Sequence, residues 1–138
     1  MTNNLNPERA LIFRIVHRDN ISWILDHGLH CRNSATVDPN YRNISSLELI
    51  NKRSNRNVPI DPGGTLSDYV PFYFTPHSVM LLNIHTGHGV PIVPNAEIVI
   101  LVSSLPRLEE LSIPFVFSDR HAYLVGANFF GSRWIAGW

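Results

Sequence analysis

The sequence predicts an α+β domain in which short strands alternate with short helices. Three observations carry this. Glu97 to Ser103 (EIVILVS) is a continuous apolar run of the kind found inside a sheet. Ala10 to Val16 (ALIFRIV) is a second apolar, β-branched run, interrupted only by Arg14. Elsewhere, helical spacing persists for only two or three turns before a Gly, Pro or Asn breaks it. At 138 residues and 44% hydrophobic, the chain has enough apolar material for one cored domain spanning residues 1–138.

The elements follow in order. Residues 1–8 are polar and read as a frayed end. In the first strand, Arg14 is either an outward residue at a sheet edge or a cation facing a ligand. Asp19-Asn20 offers a helix N-cap; Ile21, Ile24 and Leu25 follow at helical spacing, and Gly28 supplies the stop. His27-x-x-His30-Cys31 looks metal-like, but its helix ends at Gly28, so it reads as helix-end punctuation.

Asn33 to Asn43 is a polar loop long enough to be functional. Ser45 or Ser46 caps a second helix with Leu47, Leu49 and Ile50 as its apolar residues. Lys52, Arg53 and Arg56 sit at its end, where cations suit the helix dipole; alternatively one arginine is a phosphate or nucleobase contact.

Asp61 to Leu81 is the most distinctive stretch. Pro62-Gly63-Gly64 forces a turn, and Tyr69 to Phe74 (YVPFYF) reads as a strand whose aromatics form either core or a platform for a ring-shaped ligand. Ser78 to Leu82 reads as the first turn of a helix. The Gly/Pro loop 86–95 contains neither GxGxxG nor GxxxxGK[ST], so a Rossmann site and a P-loop are excluded, and His85-x-x-His88 is a weak metal signal. Leu105 to Leu111 is a brief helix. Ile113 to Phe117 is a strand running into the polar cluster Ser118-Asp119-Arg120-His121, either a turn with an ion pair or a binding group. Ala122 to Phe130 is expected to start a further helix.

The formal net charge is zero, which argues against a broad clamp on duplex DNA but leaves room for a local basic cleft. One cysteine, Cys31, makes no internal disulfide, and the N-terminus carries no apolar signal segment. No apolar run approaches the roughly 20 residues of a membrane helix. A cytoplasmic protein is the plain expectation.

The segment DYVPFYFTPHSVML resembles the central motif of the DarT family, bacterial toxins that transfer ADP-ribose from NAD to a base in single-stranded DNA. IFRIVHRDN (12–20), KRSNRNVP (52–59) and PFVFSDRH (114–121) fit the same family in the same order. The resemblance covers residues from about 11 to about 130. It implies an ADP-ribosyltransferase-like split β core flanked by short helices, NAD as donor, no metal, single-stranded DNA as partner and a macrodomain antitoxin. It places Arg53 in the catalytic position. Phe13, Arg14, Ile15, Val16, His17, Tyr73 and Met80 fall at the NAD site, and His77, Asp119, Arg120 and His121 at the DNA site.

Two departures qualify this. Many members carry His-x-Thr where this chain has Arg14 and Val16, a pattern closer to the guanine-linked branch than to the thymine-modifying one. The family's catalytic glutamate lies beyond the Asp119-Arg120-His121 cluster, and Glu97, Glu109 and Glu110 lie outside that motif. The expectation is a C-terminally incomplete domain with little or no activity alone, and the alternative is a non-catalytic NAD or single-stranded-DNA binding module.

Overall fold

The first strand, β1 (Leu11–His17), is paired along both of its edges. The computed structural model describes residues 6, 8–76, 87 and 92–131, and the helix expected over Ser78 to Leu82 lies outside them. One edge of β1 runs antiparallel to β2 (Ile98–Ser104), with Leu11 opposite Ser104 and His17 opposite Ile98. The other edge is met at a single point. Phe13 N–H donates to Tyr73 O at 2.7 Å, and Tyr73 N–H returns to Phe13 O at 2.8 Å. The aromatic stretch is therefore a one-residue bridge and not the strand its composition predicts; Pro71 has no N–H to extend the ladder. A separate sheet pairs β3 (Val116–Ser118) with β4 (Phe129–Gly131). Two small antiparallel sheets and short helices make the α+β, split-core architecture that the sequence predicts.

Ile12 and Ile15 lie on opposite faces of β1 by strand alternation, and each anchors its own core. Ile12 packs with Ala10 and Leu105, while Ile15 packs with Ile44 and Val93. Truncating either isoleucine to alanine is the kind of change that costs about 2–5 kcal/mol. β2 is less enclosed than its apolar run suggests, since Ile100 and Val102 are exposed and, among the described residues, β1 is its one partner.

The helices start and stop where their caps dictate. α1 (Ile21–His27) ends at Gly28, whose φ of 83° lets its N–H reach Ile24 O at 2.7 Å. α2 (Leu47–Ser54) starts at Ser46, whose hydroxyl accepts the Leu49 N–H. α3 (Leu105–Glu110) starts at Ser104 in the same way, with Pro106 in its first turn. Asn20 is not the side-chain cap that its position suggests. Fully buried, it instead clamps both backbone groups of Arg42, accepting the N–H at 2.8 Å and donating to the carbonyl at 2.9 Å. That clamp folds the 33–43 loop back onto the end of β1.

The region 122–130 forms turns leading into β4, not a helix. Asp119 captures the backbone and side-chain amides of Asn128 at 2.9 and 2.8 Å, closing a hairpin whose strands stack Phe117 on Phe130. The strand expected over Ile113 to Phe117 is shifted to Val116–Ser118 by this pairing.

The turn after α2 is closed by Asp68, which accepts the Thr65 N–H at 2.8 Å and the Asn33 side-chain amide at 2.9 Å. Gly64 is required beside it: its φ is +77°, and a Cβ there would stand 2.5 Å from Asp68 Oδ2. The Thr65 N–H, and then the Asn33 amide, hold the Asp68 carboxyl below the ordinary carboxylate range. A depressed carboxyl contributes stability above its unfolded pKa of about 3.9 and loses it as pH falls through the folded value. The stability gap between wild type and Asp68→Ala is thus expected to be open near neutrality and to close below about pH 4. Urea melts across that range check it, and a pH-independent gap would show that the carboxylate charge is not what closes the turn.

Candidate active-site cleft

A cleft of about 1310 Å³ opens between β1, α2, the 69–74 segment and the 117–123 segment. Its chemistry is concentrated in Arg14, Arg53 and Tyr73. β1 supplies Arg14, whose Nη1 donates to Pro71 O at 3.1 Å and whose Nη2 donates to the Tyr41 hydroxyl at 3.3 Å. Its Nε is buried and, among the described residues, has no hydrogen-bond partner. A buried N–H without a partner costs free energy, yet the guanidinium is held in place by its Nη contacts and by the charge it shares with the cleft. Of the two sequence readings, Arg14 is a cation facing a cleft.

The last turn of α2 supplies Arg53. It does not simply complement its own helix end, since its Nη2 donates to Leu66 O at 2.9 Å. Burial pulls the Arg53 pKa below its ordinary value; Tyr73 opposes that shift and Arg14 adds to it. Burial likewise pushes the Tyr73 phenol up, against the pull of Arg53 and Arg14. The three groups therefore share one electrostatic environment: two guanidinium groups flank a neutral phenol. Such a pair favours a phosphate or another planar anionic acceptor.

The other two cations of the 52–56 segment go elsewhere. Lys52 pairs with Glu48 at 3.2 Å, and Arg56 donates its Nε to Ala122 O at 3.3 Å.

Ile15, Asp119, Arg120 and His121 also line the cleft. Asp119 is committed to Asn128 and lies 3.4 Å from Arg120 Nε, while His121 packs edge-on against Tyr73 at 6.4 Å. Phe13, Val16 and His17 are not on the lining. Phe13 acts through its backbone, and His17 is fully buried. The His17 Nδ1 accepts the Asp19 N–H at 3.0 Å, which leaves the proton of the neutral ring on Nε2, 3.6 Å from Glu97 Oε1. His77 and Met80 lie outside the described residues, as do His85 and His88.

Sequence reasoning missed Tyr41, whose signal was the length of its loop, and Tyr123, which it assigned to a helix. His27 and His30 each spend a ring nitrogen on a backbone carbonyl, Trp23 O at 3.2 Å and His27 O at 2.8 Å. Among the described residues no cluster of three or more His, Cys, Asp or Glu could hold a metal, and no glutamate lines the cleft.

The profile of one protein family, described as ssDNA thymidine ADP-ribosyltransferase, DarT, matches residues 13–134. A DNA ADP-ribosyl transferase of Escherichia coli O127:H6 (strain E2348/69 / EPEC) is 58% identical over 130 residues, covering 94% of this chain and 60% of the relative. One from Thermus sp. (strain 2.9) is 41% identical over 124 residues, covering 90% of this chain and 59% of the relative. The solved structure of Thermus sp. 2.9 DarT in complex with ADP-ribosylated ssDNA matches with a TM-score of 0.84 at 40% identity, covering 92% of this chain and 60% of that one. The same protein in complex with NAD+ matches with a TM-score of 0.79 at 38% identity, covering 95% and 62%. The chain thus spans about 60% of the length of the relatives it matches.

Replacing Arg53 by methionine takes the charged donor from the Leu66 carbonyl, which keeps only the Tyr69 N–H at 3.2 Å, and removes a cation beside Tyr73. The variant is expected to lose about 1–2 kcal/mol of stability in urea melts. The Tyr73 ionisation should move further up in a tyrosinate absorbance titration. An unchanged melt would mean that Arg53 does not tie α2 to the 65–68 turn.

Proposed function

The chain belongs to the DarT family, and on that premise we propose that its cleft takes NAD and a single-stranded DNA base for ADP-ribose transfer. The observation that carries this reading is the gathering of Arg14 and Arg53 beside Tyr73 in one cleft, each guanidinium held by neutral acceptors. Residues 1–138 act as one transferase-type domain in this reading.

NAD carries a doubly anionic diphosphate between two planar ends, the nicotinamide end being a cationic ring. Arg53 holds its diphosphate by charge, since a guanidinium remains protonated and serves better as an electrostatic clamp than as a base. Arg14 offers its free N–H to the nicotinamide end, with Ile15 and Tyr73 as the apolar and aromatic wall; the resemblance adds Phe13, Val16, His17 and Met80 to that side. Breaking the glycosidic bond leaves an oxocarbenium-like ribosyl centre, and a nitrogen of the accepting base attacks it as nicotinamide departs neutral, the N–H proton of that base passing to water. A base from a single strand reaches such a cleft more cheaply than one from a duplex, because little stacking must be broken. Asp119, Arg120 and His121, with His77, form the DNA side. A carboxylate normally stabilises the ribosyl centre, and among the described residues the cleft lining has no glutamate. The lining does carry Asp38, Asp68 and Asp119, but the resemblance puts the family's glutamate beyond the Asp119-Arg120-His121 cluster, and this reading assigns full turnover to that glutamate. Thymine or guanine is the accepting base: the family description favours the first, and Arg14 with Val16 the second. A toxin role with a macrodomain antitoxin, in the cytoplasm, belongs to the same reading and rests on the family resemblance.

A second reading, a binding module without turnover, is favoured by the same glutamate-free lining. Both are tested by incubating the chain with labelled NAD and oligonucleotides carrying only thymine or only guanine as the reactive base. The expected result is saturable NAD binding, weakened about tenfold or more by Arg53→Ala, with little transfer by this chain alone. Robust labelling would overturn the expected inactivity and identify the base. Absence of NAD binding would overturn the donor site itself.

A further inference from the structure

Outside the Arg14–Arg53–Tyr73 centre, a row of rings leads from the floor of the cleft to its rim. Tyr73 meets His121 edge-on at 6.4 Å, and His121 lies against Tyr123 at 5.5 Å with the rings tilted by 34°. The Lys52 ammonium stands 5.5 Å above the Tyr123 ring, within cation–π range. Lys52 and Arg53 are neighbours on α2, and consecutive helical side chains diverge by about 100°. One thus reaches the rim while the other reaches the floor.

The segment bearing these rings is held in place. Arg56 donates to Ala122 O at 3.3 Å and lies 5.4 Å from the centre of the Phe129 ring, and Asp119 is locked to Asn128. His121 is exposed and Lys52 is about half exposed; its pair with Glu48 at 3.2 Å is a solvent-exposed one of the weak kind that a phosphate can displace, so the outer end of the row is open to a ligand. A cation, an aromatic face and a tethered loop are the parts from which single-strand sites are built, because every base has a face to stack and a phosphate nearby.

We propose that Tyr123, backed by Lys52, is a stacking platform for the nucleobase that flanks the one entering the cleft, with Lys52 on the adjoining phosphate. The proposal rests on the single-stranded-DNA reading of the cleft and adds a second nucleotide subsite to it. The row's direction favours DNA over the adenine of NAD, since the phosphate-binding guanidinium groups sit at the opposite, inner end.

The test uses the full chain and a fluorescein-labelled mixed-sequence single-stranded oligonucleotide. Tyr123→Ala is expected to weaken binding about tenfold or more, while Tyr123→Phe, which keeps the ring, stays within about twofold. Lys52→Ala should reduce the slope of log affinity against log salt by about 0.7, the value of one single-strand phosphate contact. NAD titrations should be unchanged in all three variants. A 2-aminopurine placed beside the accepting base should be quenched on binding to the wild-type chain, a readout that needs no variant. Wild-type affinity in Tyr123→Ala, or an unquenched 2-aminopurine, overturns the platform but leaves the DNA reading standing. Weakened NAD binding in Tyr123→Ala reassigns the ring to the dinucleotide and also overturns the platform. No oligonucleotide binding by the wild-type chain overturns the DNA reading itself.

Discussion

The cleft depends on two backbone hydrogen bonds, those exchanged between Phe13 and Tyr73. β1 is committed to β2 along one edge, so its free edge is the place where another segment can be registered at backbone precision. Tyr73 takes that place for one residue. This brings its ring next to Arg53 from α2 and next to Arg14, one residue along β1. The rest of the 69–74 segment follows: Pro71 turns its carbonyl to Arg14, and Phe72 joins the core of Ala10, Ile12 and Leu105. A bridge of one residue suits such a site. A single bridge fixes the position of Tyr73 without making the rest of the 69–74 segment follow the strand, so Pro71 is free to turn its carbonyl to Arg14.

Much of this was legible because it rests on local chemistry. Gly28, Ser46 and the two apolar runs each produce the element that their residue types dictate. Arg53 and Tyr73 were legible through motif order, although no spacing rule shows that the two meet. What was not legible depends on contacts far apart in sequence. Nothing local says that Asn20 will leave its helix to hold Arg42, or that Asp119 will choose the amides of Asn128 and convert an apparent helix at 122–130 into a hairpin. The 122–130 stretch has helical spacing, but tertiary pairing outweighs a weak intrinsic preference. His17 is similar: as sequence it looks like a site residue, yet the fold buries it and spends Nδ1 on the following turn.

The charge pattern also becomes intelligible in three dimensions. The chain carries no net charge, yet Arg14, Arg32, Arg53 and Arg120 all line one cleft, two of its three aspartates, Asp68 and Asp119, are tied to amide groups, and much of the other acid is used elsewhere. Glu48 pairs with Lys52, Glu97 lies 3.6 Å from Arg18, and Glu110 pairs with Arg107. Local field, not net charge, decides what a cleft attracts, because low-dielectric walls focus the charges that face it.

Placing two guanidinium groups near one another in a half-buried site is unfavourable for folding alone. Desolvation and mutual repulsion both act on Arg53. The structure offsets part of this with the carbonyls of Leu66 and Pro71 and the hydroxyl of Tyr41, which supply acceptors without supplying negative charge. That choice matters for function. Carboxylate partners would have neutralised the arginines and closed the site to an anion, whereas neutral acceptors orient the guanidinium groups and leave their charge uncancelled. The repulsion that remains between Arg14 and Arg53 is the part that nearby negative charge would relieve. A cleft held in this state keeps positive charge uncancelled by any carboxylate partner of Arg14 or Arg53, an arrangement that a packing argument alone would not predict.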